Sequence, residues 1–381
     1  MTERNFLLAL TATFLLFLAV SAFVLMPRQL WELGASESVI GWIMGTQQLT
    51  TAVAMPIVGL LLHRTGSRSF MVGGALLLAL SCAVLAGLDE IGWLFFAARA
   101  AQGVAFAAFL VSAGTLVVTI VPEARRAEGI AIWGAGVLIT HALAPIGGEW
   151  LLERGGFDAL YWAAAVACGG AAAVSVLLPH HRPSAAVPSP LSRLLRKRAI
   201  ATGLFALFTS SLGFGTIYAF LSAFAKQEGL GTVGPFFLAY TLGSIAIRIV
   251  GGKLADRYDR RLVIVPALLA CAGSIAALAF IDQAWQLIVV GAAFGIASGL
   301  SYPALMALVV DQADPADRPR AVALDNWAFT LGMLLAAFGF GAAAERMGMR
   351  AAFVAVAAVG VVASVALIAA GRPERSAPAS S

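Results

Sequence analysis

The chain has 381 residues, of which 60% are hydrophobic and only 12% charged, and its formal net charge is +5. Soluble domains carry about 25% charged residues, so little besides membrane transport, lipid chemistry or membrane scaffolding is open to this composition. The three cysteines, Cys82, Cys168 and Cys271, fall inside apolar runs and read as buried thiols, not as a disulfide framework.

A membrane-crossing helix needs about 20 apolar residues. Such runs occur in chain order at 6–26, 38–62, 69–88, 92–120, 127–152, 159–178, 199–225, 233–254, 262–281, 285–310, 320–344 and 350–371. The first ends at Met26-Pro27 with no small-residue cleavage site and a further span follows at once, so it reads as a span and not as a cleaved signal. Between the sixth and seventh runs lies a Pro/Ser-rich linker, His180 to Pro190, followed by the basic stretch Leu191 to Arg198. That stretch suits either a solvated loop or a short amphipathic helix on an anionic leaflet. Two adjacent histidines, His180 and His181, with no further ligand nearby do not make a metal site, and no cofactor is expected.

The two halves carry related turns. Gly59-Leu-Leu-Leu-His63-Arg64-Thr-Gly66-Ser-Arg68 follows the second run, and Gly252-Lys253-Leu-Ala-Asp256-Arg257-Tyr-Asp259-Arg260-Arg261 follows the eighth; their glycines are 252 − 59 = 193 residues apart. Pro122 to Arg125 matches Pro315 to Arg318 at the same spacing. The duplication predicts an all-α membrane protein of twelve transmembrane helices in two pseudo-symmetric six-helix bundles, residues 1–178 and 199–381, joined by a cytoplasmic linker at 179–198. With the N-terminus inside, the inner loops hold most of the basic residues, and the outer loops only Arg28, Arg154, Lys226, Arg346 and Arg350. That asymmetry puts both termini in the cytoplasm and makes the basic charge a matter of topology, with no nucleic-acid partner.

At these motifs the chain resembles the major facilitator superfamily over nearly its whole length. Gly252 to Arg261 is similar to that family's loop signature, and Arg99-Ala-Ala-Gln102-Gly103 to its second signature. Ala144-Pro145-Ile-Gly147-Gly148 is similar to the Gly-Pro-x-x-Gly-Gly element of the proton-antiporting branch, with Ala144 where a glycine is usual. The resemblance implies a bacterial inner-membrane transporter, functional as a monomer, working by alternating access. It implies proton-coupled efflux of a small organic molecule, with an importer or uniporter of a small metabolite as the alternative.

Charges inside spans cost at least a few kcal/mol each, so each needs an account. Arg99 suits two: it biases a nearby carboxylate or meets an anionic substrate, or it bonds backbone carbonyls and Gln102 to hold helices together. Glu149 is the carboxylate expected at its depth, unless it reaches the outer headgroups. His141, one turn before Pro145, can carry protons or simply bond a neighbouring carbonyl. Asp325 can pair with Arg64 or Arg248, or carry a proton. Candidates for the substrate cavity are Gln47, Gln48, Gln102, Tyr218, Tyr240, Tyr302, Asn326 and Trp327, a polar and aromatic mix suited to an amphipathic molecule. The turns read as gates: Gly59, His63, Arg64 and Arg68 in the first copy, Arg248, Gly252, Asp256, Arg257 and Arg261 around the second, with Asp256 set to meet a helix N-terminus. His63 stands where the first copy would have an aspartate. Pro145, Gly147 and Gly148 predict a loosened, smooth packing face. An intramembrane enzyme is not expected: His141 and Glu149, eight residues apart on one helix, sit about 12 Å apart along its axis, and no phosphate-binding glycine loop is present.

Overall fold

The structure is a computed structural model that describes residues 3–122, 125–182, 194–257, 260–314 and 317–369. Among these there are helices and turns and no strand. Helix α1 runs Glu3–Glu32, with a 3₁₀ turn at Phe23–Leu25 just before Pro27. It is followed by α2 (Glu37–Thr65), α3 (Ser67–Leu85) and α4 (Trp93–Ile120). The next helical stretch, Arg126–Val176, is broken where Gly155 (φ −143°) and Gly156 (φ 65°) leave helical geometry. Only glycine takes the second of these conformations without strain, and the break separates α5 (126–154) from α6 (157–176).

The remaining helices are α7 (Arg198–Gln227), α8 (Gly234–Arg257), α9 (Arg260–Ala277) and α10 (Ala284–Asp311). Helix α11 starts at Arg318, passes through a π-helical turn at Ala336–Phe340 and ends at Met347; α12 spans Met349–Ala369. Among the described residues nine helices, the bent α5–α6 stretch counting as one, are long and apolar enough to cross a membrane, and Gly234–Val250 and Met349–Val365 are shorter apolar helices.

Each set of six helices packs mainly on itself. In α1–α6, α1 lies along the α5–α6 stretch, and α4 along α2 and α3; in α7–α12, α10 lies along α8 and α9, α7 along α11, and α12 along α9 and α7. The sets meet mainly through three pairs, α1 with α7, α2 with α11, and α5 with α8. Phe95, Phe109, Phe220, Phe224 and Phe353 fill the interior. Large apolar side chains such as Leu60, Trp93, Val166 and Ile249 point outward, with Trp93 75% exposed. In water such a belt would be an aggregation surface; in a bilayer it is the lipid face.

The bundle has two ends. Glu32, Glu149 and Glu345 mark one, and the α2–α3 corner at Gly66 marks the other. Hydrogen bonds and ion pairs join the two sets at the Glu149 end and at mid-depth. They include Lys226–Glu32 at 3.0 Å, the Thr241 hydroxyl to the Leu138 carbonyl at 3.5 Å and Trp327 Nε1 to the Ala52 carbonyl at 3.0 Å.

Candidate functional site

Where the two sets face each other at mid-depth, an aromatic cluster closes around α7. Phe214 lies one turn before Tyr218 on α7, so both rings share a face, with centroids 6.3 Å apart. Phe214 also meets His141 of α5 at 6.0 Å, Tyr240 of α8 at 6.0 Å and Phe329 of α11 at 5.8 Å. Tyr240 stacks on Phe294 at 5.9 Å, and Tyr302 meets the edge of Phe329 at 5.5 Å. The polar tips hold the two sets together: the Tyr218 hydroxyl donates to the carbonyl of Val20 on α1. His141 Nδ1 lies 3.1 Å from the Val137 carbonyl of its own helix.

Asp325 lies beside this cluster, one turn before Phe329 on α11. It is 0% exposed, and neither carboxylate oxygen has a hydrogen-bond partner. Neither Arg248 nor Arg64 bonds Asp325, so the pairing expected with one of them is not formed here. Arg248 itself is exposed.

Arg99 forms a second polar centre, on α4. It is fully buried, donates to Gln102 Oε1 at 2.7 Å, and points at the Ile43 carbonyl (3.5 Å) and the Met44 sulfur (3.6 Å) of α2. Its guanidinium lies 5.6 Å from the ring centroid of Phe23 on α1. The two helices approach closely beside it: the Thr51 hydroxyl donates to the Gly103 carbonyl at 3.1 Å, and a Cβ on Gly103 would meet the Thr51 amide nitrogen at 3.0 Å. Gln47 Oε1 and Gln102 Nε2 are buried without partners, an empty acceptor and an empty donor. Gln48 is half-buried.

The structure does not bring Arg99 and Glu149 together. Glu149, 8% exposed, accepts from the backbone N–H of Val233 at 2.6 Å and of Gly234 at 3.0 Å, at the start of α8. It therefore bonds across the two sets and does not reach for headgroups. In the adjoining motif, Gly148 packs on Leu25 and Leu160, while Gly147 faces open space. Pro145 removes the N–H that would bond the His141 carbonyl. Asn326 Nδ2 bonds the Val322 carbonyl of its own helix at 3.0 Å.

The two basic motifs are helical where the sequence reads as turns: α2 continues through His63 and Arg64 to Thr65, and α8 through Gly252 and Asp256 to Arg257. An apolar helix continues at little cost into a basic end, because cations there oppose the negative end of the dipole. Gly59 faces open space, His63 and Arg68 are half-buried and Arg64 is exposed. The Ser67 amide donates to the His181 carbonyl at 2.9 Å, tying the start of the linker to the α2–α3 corner. The side chains of 251–262, with Gly252, Asp256, Arg257 and Arg261 among them, and the linker residues 183–193 lie outside the described residues. Phe214, Phe294 and Phe329 are site residues that sequence reasoning missed.

Long lipid-facing helices around a polar, aromatic seam make this a multi-pass membrane protein, and its likeness to known proteins makes it a transporter and not an enzyme. The Major Facilitator Superfamily model matches residues 8–239 and 204–381, and the chain belongs to that family. It is 35% identical over 133 residues to the inner membrane transport protein YajR of Escherichia coli K12, a match spanning 35% of this chain and 29% of that protein. It is 23% identical over 363 residues to the multi-drug resistance efflux pump PmrA of Streptococcus pneumoniae, covering 87% of this chain and 86% of that one. It is 25% identical over 280 residues to the multidrug resistance protein MdtG of Dickeya zeae, covering 69% and 67%. Among solved structures, the nucleoside transporter NupG superposes with a TM-score of 0.74 at 15% identity over 97% of this chain and 99% of that one. A POT family transporter in complex with 5-aminolevulinic acid gives 0.80 at 12% identity, over 96% of each chain. At such identities the likeness is one of fold.

Proposed function

We propose that the chain exports a small amphipathic organic molecule across a bacterial inner membrane in exchange for protons. It does so as a monomer, by alternating access between lobes 1–178 and 199–381 joined by the segment 179–198. The basic bias of the loops supports cytoplasmic termini, which makes the Gly66 end cytoplasmic and the Glu149 end external. Relatives named for multidrug resistance and efflux support export.

The observation that carries proton coupling is Asp325, buried in the seam with both oxygens empty. An ionised carboxylate without partners in a low-dielectric interior costs several kcal/mol. Holding a proton while occluded and releasing it when hydrated is what a coupling group must do. His141 faces the same cluster and relays or positions the proton. The rings of Tyr218, Tyr240 and Tyr302, with Phe214, Phe294 and Phe329, offer stacking faces to an amphipathic substrate. Gln47, Gln48, Gln102 and Asn326 offer hydrogen bonds, and Trp327, whose N–H is held by the Ala52 carbonyl, offers a further ring face. Arg99, already bonded within its own lobe, sets the shape of that lobe.

The test is uptake of a compound panel by inside-out vesicles, with and without an imposed pH gradient. Accumulation of one compound only when the gradient is present is the expected result. Exchange that ignores the gradient would replace this reading with uniport.

A further inference from the structure

The halves are joined at the Glu149 end by a pair of contacts related by the internal repeat. Glu149 on α5 accepts from the Gly234 amide at the start of α8, at 3.0 Å. Glu345 on α11 accepts from the Ser38 amide at the start of α2, at 3.3 Å. The offsets coincide: 345 − 149 and 234 − 38 are both 196. In each case a carboxylate near the end of the fifth helix of one half bonds backbone N–H at the start of the second helix of the other. Free N–H groups and the positive end of the helix dipole meet the negative charge there.

We infer that Glu149 and Glu345 are matched latches holding this end of the transporter shut, and that Glu149 is the stronger. Glu149 is 8% exposed and receives two amides, with Val233 at 2.6 Å, whereas Glu345 is exposed, receives one amide and has the Ser36 hydroxyl at 3.4 Å. Charge-assisted bonds are stronger when short and shielded from water. Gly234 belongs to the Glu149 latch, because a Cβ there would lie 2.6 Å from Glu149 Oε2. The Glu32–Lys226 ion pair, 3.0 Å between α1 and α7, reinforces the same end, but it is partly exposed and contributes less. Both latches must break for this end to open, so these carboxylates position the halves and do not touch substrate.

The inference rests on the alternating-access reading, but its test uses neither substrate nor gradient, so failure of transport and failure of the latches are separable. Spin labels at Asp89→Cys and Asp282→Cys, exposed turns at this end in either half, report opening by pulsed electron resonance in nanodiscs, with the three native cysteines replaced by alanine. Glu149→Gln is expected to shift the closed-to-open ratio about tenfold towards open. Gly234→Ala, which keeps the carboxylate but pushes it off the α8 amides, is expected to do the same. Glu345→Gln is expected to shift the ratio about threefold or less. Unchanged distances in both Glu149→Gln and Gly234→Ala would overturn the latch. A larger opening in Glu345→Gln than in Glu149→Gln would overturn the ranking.

Discussion

Arg99 and Asp325 are both wholly buried, and the fold treats them in opposite ways. Arg99 is met by a glutamine oxygen, a carbonyl, a sulfur and an aromatic face, all within its own half. Asp325 is met by nothing that can donate to it. A buried charge with a full set of partners stabilises the structure around it and is costly to remove. A buried acid without partners is costly to keep ionised, which is why we propose that Asp325 works in another state. On that proposal the two residues divide the interior into a scaffold and a working group.

The sharpest way to break that division is Asp325→Asn. We expect gradient-driven transport to be lost, with only exchange remaining, while thermal unfolding in detergent shifts by less than about 1 kcal/mol. Stability falling in step with transport would return Asp325 to the scaffold. Arg99→Ala should behave in the reverse manner, destabilising the protein by about 2–4 kcal/mol, because Gln102 Oε1 and the Ile43 carbonyl lose a charged donor inside the membrane. Its residual folded fraction should still respond to a pH gradient. Fully stable protein with abolished coupling would instead make Arg99 part of the proton path.

Much of the scaffold is legible in the sequence, and much of the working site is not. Helix positions follow from the apolar runs, because lipid demands about 20 such residues per crossing. Arg99 with Gln102 is a contact three residues apart on one helix, so spacing alone suggests it. The partner of Glu149 could not be read that way: it is a pair of backbone amides 84 and 85 residues away, and an amide leaves no mark in the sequence. Phe214, Phe294 and Phe329 are not legible as cluster residues, because a chain with 23 phenylalanines gives no sign of which face lipid and which face the seam. The π-helical turn in α11 has no compositional signal either.

A smaller effect sharpens the scaffold side of the comparison. Gly103→Ala puts a methyl group against the α2 backbone at Gln47 and Thr51, beside the Arg99 site. We expect a loss of about 1–3 kcal/mol in unfolding free energy from the forced separation, with coupling retained. Loss of coupling at full stability would mean that the spacing of α2 and α4 matters to transport itself.

The last prediction concerns a bond across the halves whose worth depends on a proline. Pro56 lacks the N–H that would bond the Ala52 carbonyl within α2, and that carbonyl instead receives Trp327 Nε1 from α11 at 3.0 Å. Trp327→Phe keeps a ring but strands the carbonyl, and should destabilise by about 1 kcal/mol. In a Pro56→Ala background the helix supplies its own donor, so the same Trp327→Phe change should cost almost nothing. The coupling in this double-mutant cycle should be about 1 kcal/mol, measured by thermal unfolding. Additive effects would show that Trp327 contributes by packing alone. Coupling of the expected size would show that a helix break in one half is satisfied by a side chain of the other, a contact that must be surrendered whenever the halves part at this level.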